Sequence, residues 1–411
     1  MRRVAIVGAG MTRFGKYLDR SMKEIGREAV DGALKAAGVE KEKLEAAVVG
    51  NAMAGLITGQ ECVRGQVILR EMGIQDIPII NTENACASSG TAFHLGWLYV
   101  ASGMYDTVLA LGVEKLYHED KKRSFAAIGS AIDVEQMQQV MAQMKKQAEE
   151  KPDGDAKGNG GGAGKSRSMF MDFYAAAARR HMEKNGTTQL DFAKVAVKNH
   201  NNGSLNPHAQ YRERYTAEEI IASPEVAFPL TRLMCSPIGD GAAAVILCSE
   251  EKARELTTKP IFVRASAIGS GMDLKPGDDD IVTRTAARAY EQAGVTPRDL
   301  NVIELHDASS PAEILGYEEL GLCPTGEGAR LIQEGVTEIG GKLPVNTSGG
   351  LLSKGHPVGA TGVAQICEVY WQLRGEAGDR QVEGAKLGLT QNGGGMVRGE
   401  AAAMAIHVLS T

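Results

Sequence analysis

The sequence predicts an α/β protein built from two duplicated half-domains, and three observations predict it. Short apolar runs suited to strands alternate with longer helical ones: a strand over 4–7, a helix over 22–37, a strand over 46–49, a helix over 61–72. The chain's 50 glycines mostly fall between such runs, where turns are needed. Most telling, the sequence repeats itself. Ala33-Leu34-Lys35-Ala36-Ala37-Gly38-Val39 is echoed by Ala289-Tyr290-Glu291-Gln292-Ala293-Gly294-Val295, and Leu44 by Leu300 at the same offset. The strand at 46–50 matches 301–305 within a residue, and Ile80-Asn81-Thr82 matches Val345-Asn346-Thr347. A unit of roughly 110 residues is too long for a solenoid repeat. Two half-domains packed face to face fit it, and they bring the glycine-rich, helix-opening segment that follows each repeat towards a shared centre.

Composition narrows the function. The 411 residues, 43% hydrophobic, suffice for two or three domains. A net charge of −6 without a basic block, and only 5% aromatics, leave no footprint for nucleic acid or a membrane surface. The cysteines at 62, 86, 235, 248, 323 and 367 form no C-x-x-C pair, so no zinc or thioredoxin-type motif is visible. Met1-Arg2-Arg3 runs straight into the first strand rather than a targeting segment, and reduced cysteines in a cytoplasmic protein are expected. The longest apolar stretch, 92–113, is broken by His94 and Asp106 and is no membrane span.

The elements follow in order. Residues 1–117 read as the N-terminal half. Within it a strand at 77–81 leads into Asn84-Ala85-Cys86-Ala87-Ser88-Ser89-Gly90 and a buried helix over 91–102. Cys86 thus lies at a helix N-terminus, where free N–H groups and the helix dipole favour thiolate. A free cysteine is otherwise commonly inert core. Residues 118–230 read as a loop region. Its first part is rich in Met, Gln and Lys, and 152–168 is polar and glycine-rich, too poor in apolar surface to stay ordered alone. That insert is either a lid or a linker; Lys165 and Arg167 in it could meet a phosphate. Helices are expected over 170–185 and 191–201. Residues 231–257 return to the N-terminal half, and 258–411 form the C-terminal half.

Three motifs mislead. Val7-Gly8-Ala9-Gly10 lacks the third glycine of a dinucleotide site, Arg13 standing there, and no acidic residue follows at the right distance. Gly164-Lys165-Ser166 has Asn159 where a P-loop has glycine. His181, His200 and His208 are too dispersed for zinc, and no metal is expected.

Three others carry chemistry beside Cys86. Gly355-His356-Pro357-Val358-Gly359-Ala360-Thr361-Gly362 puts a histidine on a tight turn before a helix that Pro357 opens. His306-Asp307 follows a strand over 301–305, at the end where α/β sheets bind ligands, unless Asp307 is merely a cap. Gln391-Asn392-Gly393-Gly394-Gly395 follows a strand over 386–390; backbone N–H groups of such a loop, Gly394 in particular, can form an oxyanion hole.

Together these segments resemble the thiolase superfamily over nearly the whole chain. The Cys86 segment, Ser236-Pro237-Ile238-Gly239-Asp240-Gly241-Ala242-Ala243 and the His356 segment all look like family signatures. Glu304-Leu305-His306-Asp307, Gly321-Leu322-Cys323-Pro324 and Trp371-Gln372-Leu373-Arg374-Gly375 are most similar to the sterol-carrier-type and archaeal-type branch. The resemblance implies the layered α-β-α-β-α thiolase fold. It implies an acyl-CoA C-acyltransferase that cleaves a 3-ketoacyl-CoA, or runs the reverse Claisen condensation, through acyl-Cys86. Coenzyme A is then a co-substrate and no cofactor is tightly bound. Cys86, His356, His306 and Gly394 fall at catalytic positions, and Ser236, Lys165 and Arg167 would hold CoA. A homodimer or larger oligomer is implied, as is a small zinc-ribbon/OB-fold partner subunit.

The chain departs from that pattern where members carry a second cysteine as acid/base. Ala308 and Gln391 stand at those positions, and neither moves a proton. Two readings stay open: a working thiolase in which His356, a water or the CoA thiol moves the proton, or a thiolase fold with aldolase-like chemistry or a non-catalytic acyl-CoA/lipid-binding role. Ala308 and Ser309 replace larger side chains and make room for a bulky, aromatic or branched acyl group, such as the benzoylsuccinyl-CoA of aromatic compound degradation.

Overall fold

The computed structural model describes residues 1–139, 142, 143, 167–257 and 259–411. Nearly all of the glycine-rich insert, Lys165 included, lies outside the described residues. Eleven strands form among them: β1 (Val4–Met11), β2 (Ala46–Gly50), β3 (Ile79–Thr82), β4 (Thr107–Glu114), β5 (Glu225–Ala227), β6 (Leu230–Thr231), β7 (Gly241–Ser249), β8 (Ile261–Ser270), β9 (Val302–Glu304), β10 (Leu387–Gly394) and β11 (Ala403–Ser410). β5 and β6 pair alone. The rest follow the order β3-β2-β4-β7-β1-β8-β11-β10-β9.

That order contains the duplication. β1–β7 and β7–β4 are antiparallel and β4–β2 parallel; β8–β11 and β11–β10 are antiparallel and β10–β9 parallel. β3 lies parallel to β2, and Val345 bridges parallel to Ile303 of β9 in the equivalent place. The two half-sheets join only where Ala5 faces Phe262 and Ile6 faces Ile261.

Seven helices position the site: α1 (Met22–Ala37), α2 (Ser88–Ala101), α3 (Phe170–Asn185), α4 (Gln189–Leu205), α5 (Ile281–Ala293), α6 (Ser310–Glu319) and α7 (Thr361–Arg374). α1 and α5 are the repeat copies and form the same way. Ser21 caps α1 and Asp280 caps α5, each ends on a left-handed glycine (Gly38, Gly294), and each buries one apolar stripe, Ile25, Ala29 and Ala33 or Ile281, Thr285 and Ala289. They cover the outer faces of the two half-sheets. α2 and α7 lie between the half-sheets, each touching strands of both, and α7 is buried from Thr361 through Tyr370. The layers are therefore α1, sheet, α2 with α7, sheet, α5. Helices α3 and α4 pack on α6.

One expectation fails. The glycines at 393 and 394 are not a loop: β10 runs through Gly394, pairing Gly393 with Met404 and Gly394 with Ala403. Packing explains the glycines there, because a Cβ on Gly394 would stand 2.1 Å from the Asn84 carbonyl oxygen and 2.7 Å from the Ala87 nitrogen.

The central helices meet almost backbone to backbone. A Cβ on Gly362 of α7 would lie 2.5 Å from the Gly90 nitrogen of α2 and 2.8 Å from Asn392 Oδ1. Ser89 of α2 accepts the Val363 N–H of α7 at 3.1 Å. Gly362→Ala is expected to destabilise the fold by about 1–3 kcal/mol through overpacking that no flexible side chain can relieve; a urea denaturation midpoint unchanged from wild type would contradict this.

Candidate active site

Both central helices open with a 3-10 turn, Ala85–Ala87 before α2 and Val358–Ala360 before α7. Cys86 sits inside the first. Ala85 has φ +47°, a left-handed conformation costing an alanine on the order of 1–2 kcal/mol. Local bonds hold it. Glu83 accepts the Ala85 N–H at 2.6 Å, while Ser88 Oγ accepts from the Asn84 nitrogen at 3.0 Å and donates to the Ala85 carbonyl at 2.6 Å. The second turn follows Gly355, whose φ of +107° excludes side chains, and His356.

The halves bring Cys86, His306 and His356 together. The sulfur and one nitrogen of each ring lie within 4.8 Å of one another. The two rings meet edge to face with centroids 5.1 Å apart. Each ring is held through Nδ1. Thr361 Oγ1 donates to the Pro357 carbonyl at 3.0 Å, so it accepts from His356 Nδ1–H at 2.7 Å, leaving an unprotonated Nε2. The Asn392 amide donates to His306 Nδ1 at 2.9 Å, leaving hydrogen on Nε2. One imidazole is prepared to take a proton and the other to donate a hydrogen bond. A Cys-His-His set can hold zinc, and a metal here would displace the hydrogen that the Asn392 contact leaves on His306 Nε2.

Cys86 is half-buried on the cavity wall, and its burial works against the thiolate expected at this helix N-terminus. Burial pushes the Cys86 thiol up to about 12; the Gly395 N–H and the Cys86 N–H, both bonded to the sulfur, oppose burial without overcoming it, and Glu114 adds to it. Desolvation simply exceeds what a helix N-terminus supplies. Burial likewise pulls His306 down to about 4 and His356 well below its ordinary range, with His306 and Lys354 adding to the latter shift. Burial thus favours a neutral thiol and neutral imidazoles at rest.

The other expected residues divide. Gly394 lines the cavity with Cys86, but the N–H bonded to the sulfur belongs to its neighbour Gly395. Ser236 lines the cavity and donates its N–H to the Ala308 carbonyl at 3.0 Å. Arg167 lines it too, in an ion pair with Asp172 at 2.7 Å. Asp307 turns away from its neighbour His306: its carboxylate accepts from the Leu351 nitrogen and the Asn199 amide, both at 2.7 Å. It clips buried loops together and, as the alternative reading had it, is structural.

Sequence reasoning missed several residues. Glu114, fully buried at the end of β4, accepts N–H groups from Ala52 and Met53 at 3.2 Å and from Gly359 at 2.8 Å, tying the His356 loop to the N-terminal half. Its only signal was an acid closing an otherwise apolar strand. Thr361 and Asn392 were inside quoted motifs without a role. Cys235, beside Ser236, brings a second thiol to the cavity wall, where burial pushes it up to about 12. Lys16, Lys121 and Arg232 add positive charge to the cavity, which measures about 800 Å³.

Fold and site together define a class: a duplicated five-layer α/β protein with a half-buried thiol facing two imidazoles where its halves meet. Residues 4–251 match the thiolase N-terminal domain and 276–410 the thiolase C-terminal domain-like family. The chain belongs to the thiolase family. It is 43% identical to an acetyl-CoA acetyltransferase of Methanothermobacter thermautotrophicus over the whole of both chains. It is 37% identical to human sterol carrier protein 2 over 95% of this chain and 70% of that one, and 37% identical to the benzoylsuccinyl-CoA thiolase subunit BbsB of Thauera aromatica over 93% and 92%. Among solved structures, the Ltp2-ChsH2(DUF35) aldolase superposes with a TM-score of 0.76 at 24% identity, covering 100% and 98% of the chains. Human mitochondrial 3-ketoacyl-CoA thiolase in complex with CoA superposes at 0.68 and 18%, with the same coverage. No helix among the described residues is long and apolar enough to cross a membrane.

A thiol raised to about 12 has a testable consequence. Alkylation of Cys86 by iodoacetamide, followed on its own peptide because Cys62 is exposed, should quicken about tenfold per pH unit from 7 to 10 without levelling. A plateau near neutrality would instead reveal a preformed thiolate.

Proposed function

We propose that this protein is an acyl-CoA C-acyltransferase working through an acyl-Cys86 intermediate. The observation that carries the reading is the pair of imidazoles around one thiol, each held at Nδ1, His356 by Thr361 and His306 by the Asn392 amide. His356 Nε2 takes the proton as the Cys86 sulfur bonds to the keto carbon of a 3-ketoacyl-CoA. His306 Nε2–H and the N–H groups of Cys86 and Gly395 lie where negative charge develops on oxygen. The bond between the second and third acyl carbons then breaks. Its electron pair forms the enolate of the shortened acyl-CoA (acetyl-CoA where the second carbon is unbranched), and the proton held on His356 moves to the enolate carbon. A CoA thiol next gives its proton to His356, attacks the acyl-Cys86 thioester and expels Cys86, which recovers that proton. In this cycle one base serves both half-reactions, so Ala308 and Gln391 need not move a proton. Retro-aldol cleavage would need no acylated cysteine, and this favours the transferase over an aldolase.

Basic residues at the cavity, Lys16, Lys121 and Arg232, suit the phosphates of CoA, with Ser236 and Arg167 beside them. The cavity's size and the small Ala308 and Ala312 favour a bulky, aromatic or branched acyl group, of which the substrate named in the BbsB relative is one example. A relative called a subunit, and a fold neighbour that joins Ltp2 to ChsH2(DUF35), favour a small zinc-ribbon/OB-fold partner. The edge position of β3, with Ile80 exposed, favours an oligomer.

Incubation with a panel of acyl-CoAs should place an acyl group on Cys86, seen by mass spectrometry and removed by added CoA. No adduct with any acyl-CoA, partner subunit present, would leave a non-catalytic scaffold. His356→Ala should lower turnover by about 10²–10⁴-fold, and loss of less than tenfold would remove it as the base. If acetoacetyl-CoA is the fastest substrate in a size series, the bulky-substrate reading fails.

A further inference from the structure

Cys86, His306 and His356 offer a second chemistry besides proton transfer. Their ligand atoms, one sulfur and one nitrogen of each ring, lie within 4.8 Å of one another. That donor set suits zinc and its borderline neighbours, and not magnesium or calcium, which take oxygen. Around a tetrahedral zinc, sulfur and nitrogen ligands stand roughly 3.5 Å apart, so the three side chains close on it by moving about 1 Å.

The surroundings supply the outer contacts that such a site needs. A metal-bound histidine ordinarily holds its other nitrogen against a hydrogen-bond acceptor, which fixes the ring and raises its basicity. His356 Nδ1 already does so at Thr361 Oγ1, 2.7 Å away. His306 Nδ1 lies 2.9 Å from Asn392 Nδ2, and the Oδ1 of that same amide is buried without a partner. Turning the amide over sets Oδ1 against His306 Nδ1–H, frees Nε2 for the metal and gives the oxygen the partner it lacks. The amide nitrogen then faces the side on which His407 Nε2 is also buried and unpartnered. Asn392 Oδ1 and His407 Nε2 each stand 3.6 Å from the place a Gly90 Cβ would occupy. The Gly395 and Cys86 N–H groups at the sulfur are contacts that a thiolate ligand keeps. All three residues line the cavity, so a fourth position opens into it, as in a zinc held by three protein ligands.

Burial favours the protonated thiol but does not oppose the metal. A coordinated thiol is deprotonated outright, and its proton passes to solvent as the metal–sulfur bond forms.

We propose that Cys86, His306 and His356 form a zinc site, and that zinc bound there is a reversible inhibitor. It takes the sulfur that would carry the acyl group and the His356 Nε2 that would take the proton. The binding stands on geometry; the inhibition rests on the acyltransferase reading above.

Cobalt(II) is the probe, because a thiolate ligand gives it a sulfur-to-metal charge-transfer band and a four-coordinate site gives it intense visible bands. Added to the tag-free, chelator-treated chain, one equivalent should raise both, and zinc should abolish them. The charge-transfer band should vanish in Cys86→Ser and persist in Cys62→Ser and Cys235→Ser. Zinc, measured against a chromophoric chelator, should bind with a Kd of about 10 µM or tighter, and Asn392→Ala should weaken it by about 10–100-fold. Loss of turnover should follow zinc occupancy and reverse with chelator, and prior acylation of Cys86 should block the bands. The proposal is overturned by no charge-transfer band at one equivalent, by a band that survives Cys86→Ser, by zinc binding weaker than about 10 µM (an adventitious ion only), or by full occupancy that leaves turnover unchanged or raised. Should Cys86→Ser fail to fold, native protein alkylated at Cys86 takes its place. Bands without an acyl adduct from any acyl-CoA would remove the transferase reading and leave the zinc site; an adduct without bands would do the reverse.

Discussion

The contact on which the rest depends is the crossing of the two central helices at Gly90 and Gly362. Each helix belongs to a different half of the chain, and each begins with a turn that presents one reactive side chain. Only where neither helix has a Cβ can their first turns come close enough to bring Cys86, His306 and His356 within 4.8 Å of one another. Ser89 then caps α7 from α2, and Glu114 gathers N–H groups from both halves, so the N-termini that form the site are also what joins the half-domains. The site and the domain interface are one structure.

That location fixes the electrostatics. A thiol at a helix N-terminus would be acidic in water-filled surroundings, but here desolvation is the larger effect and favours the protonated sulfur. Neutral imidazoles beside it follow from the same cause. Direction comes from the contact at each ring's Nδ1, with Thr361 on one side and Asn392 on the other. Charges exist close by, yet they are paired among themselves: Lys198 with Glu313, Lys354 with Glu304, Arg380 with Glu368. These pairs brace the loops that carry His306 and His356 rather than entering the site.

Much of this was legible in the chain itself. The repeat around Ala33 and Ala289 located α1 and α5 in equivalent places, and the glycine-rich segments at Cys86 and His356 pointed to the two helix openings. The misreadings have specific physical origins. Gly393 and Gly394 read as a loop because glycine usually breaks strands; here both are strand residues, and Gly394 is cleared for the Cys86 turn packed on it. Asp307 read with His306 because they are neighbours, but successive residues of an extended chain point to opposite sides. Glu114 showed only as an acid closing an apolar strand, and the roles of Thr361 and Asn392 had no local signal, since these contacts depend on distant segments or on ring orientation.

By itself the sequence determined the duplicated α/β layout, the thiolase family and the identity of the thiol and its two histidines, because periodicity, repeats and short motifs are local properties that survive in one dimension. Tertiary structure alone decided the direction in which burial shifts those groups, the contact at each ring's Nδ1 and the amide that meets the sulfur. Those depend on how much water is excluded and on which distant atoms arrive within hydrogen-bonding distance, and a sequence carries neither until the two halves have closed on each other.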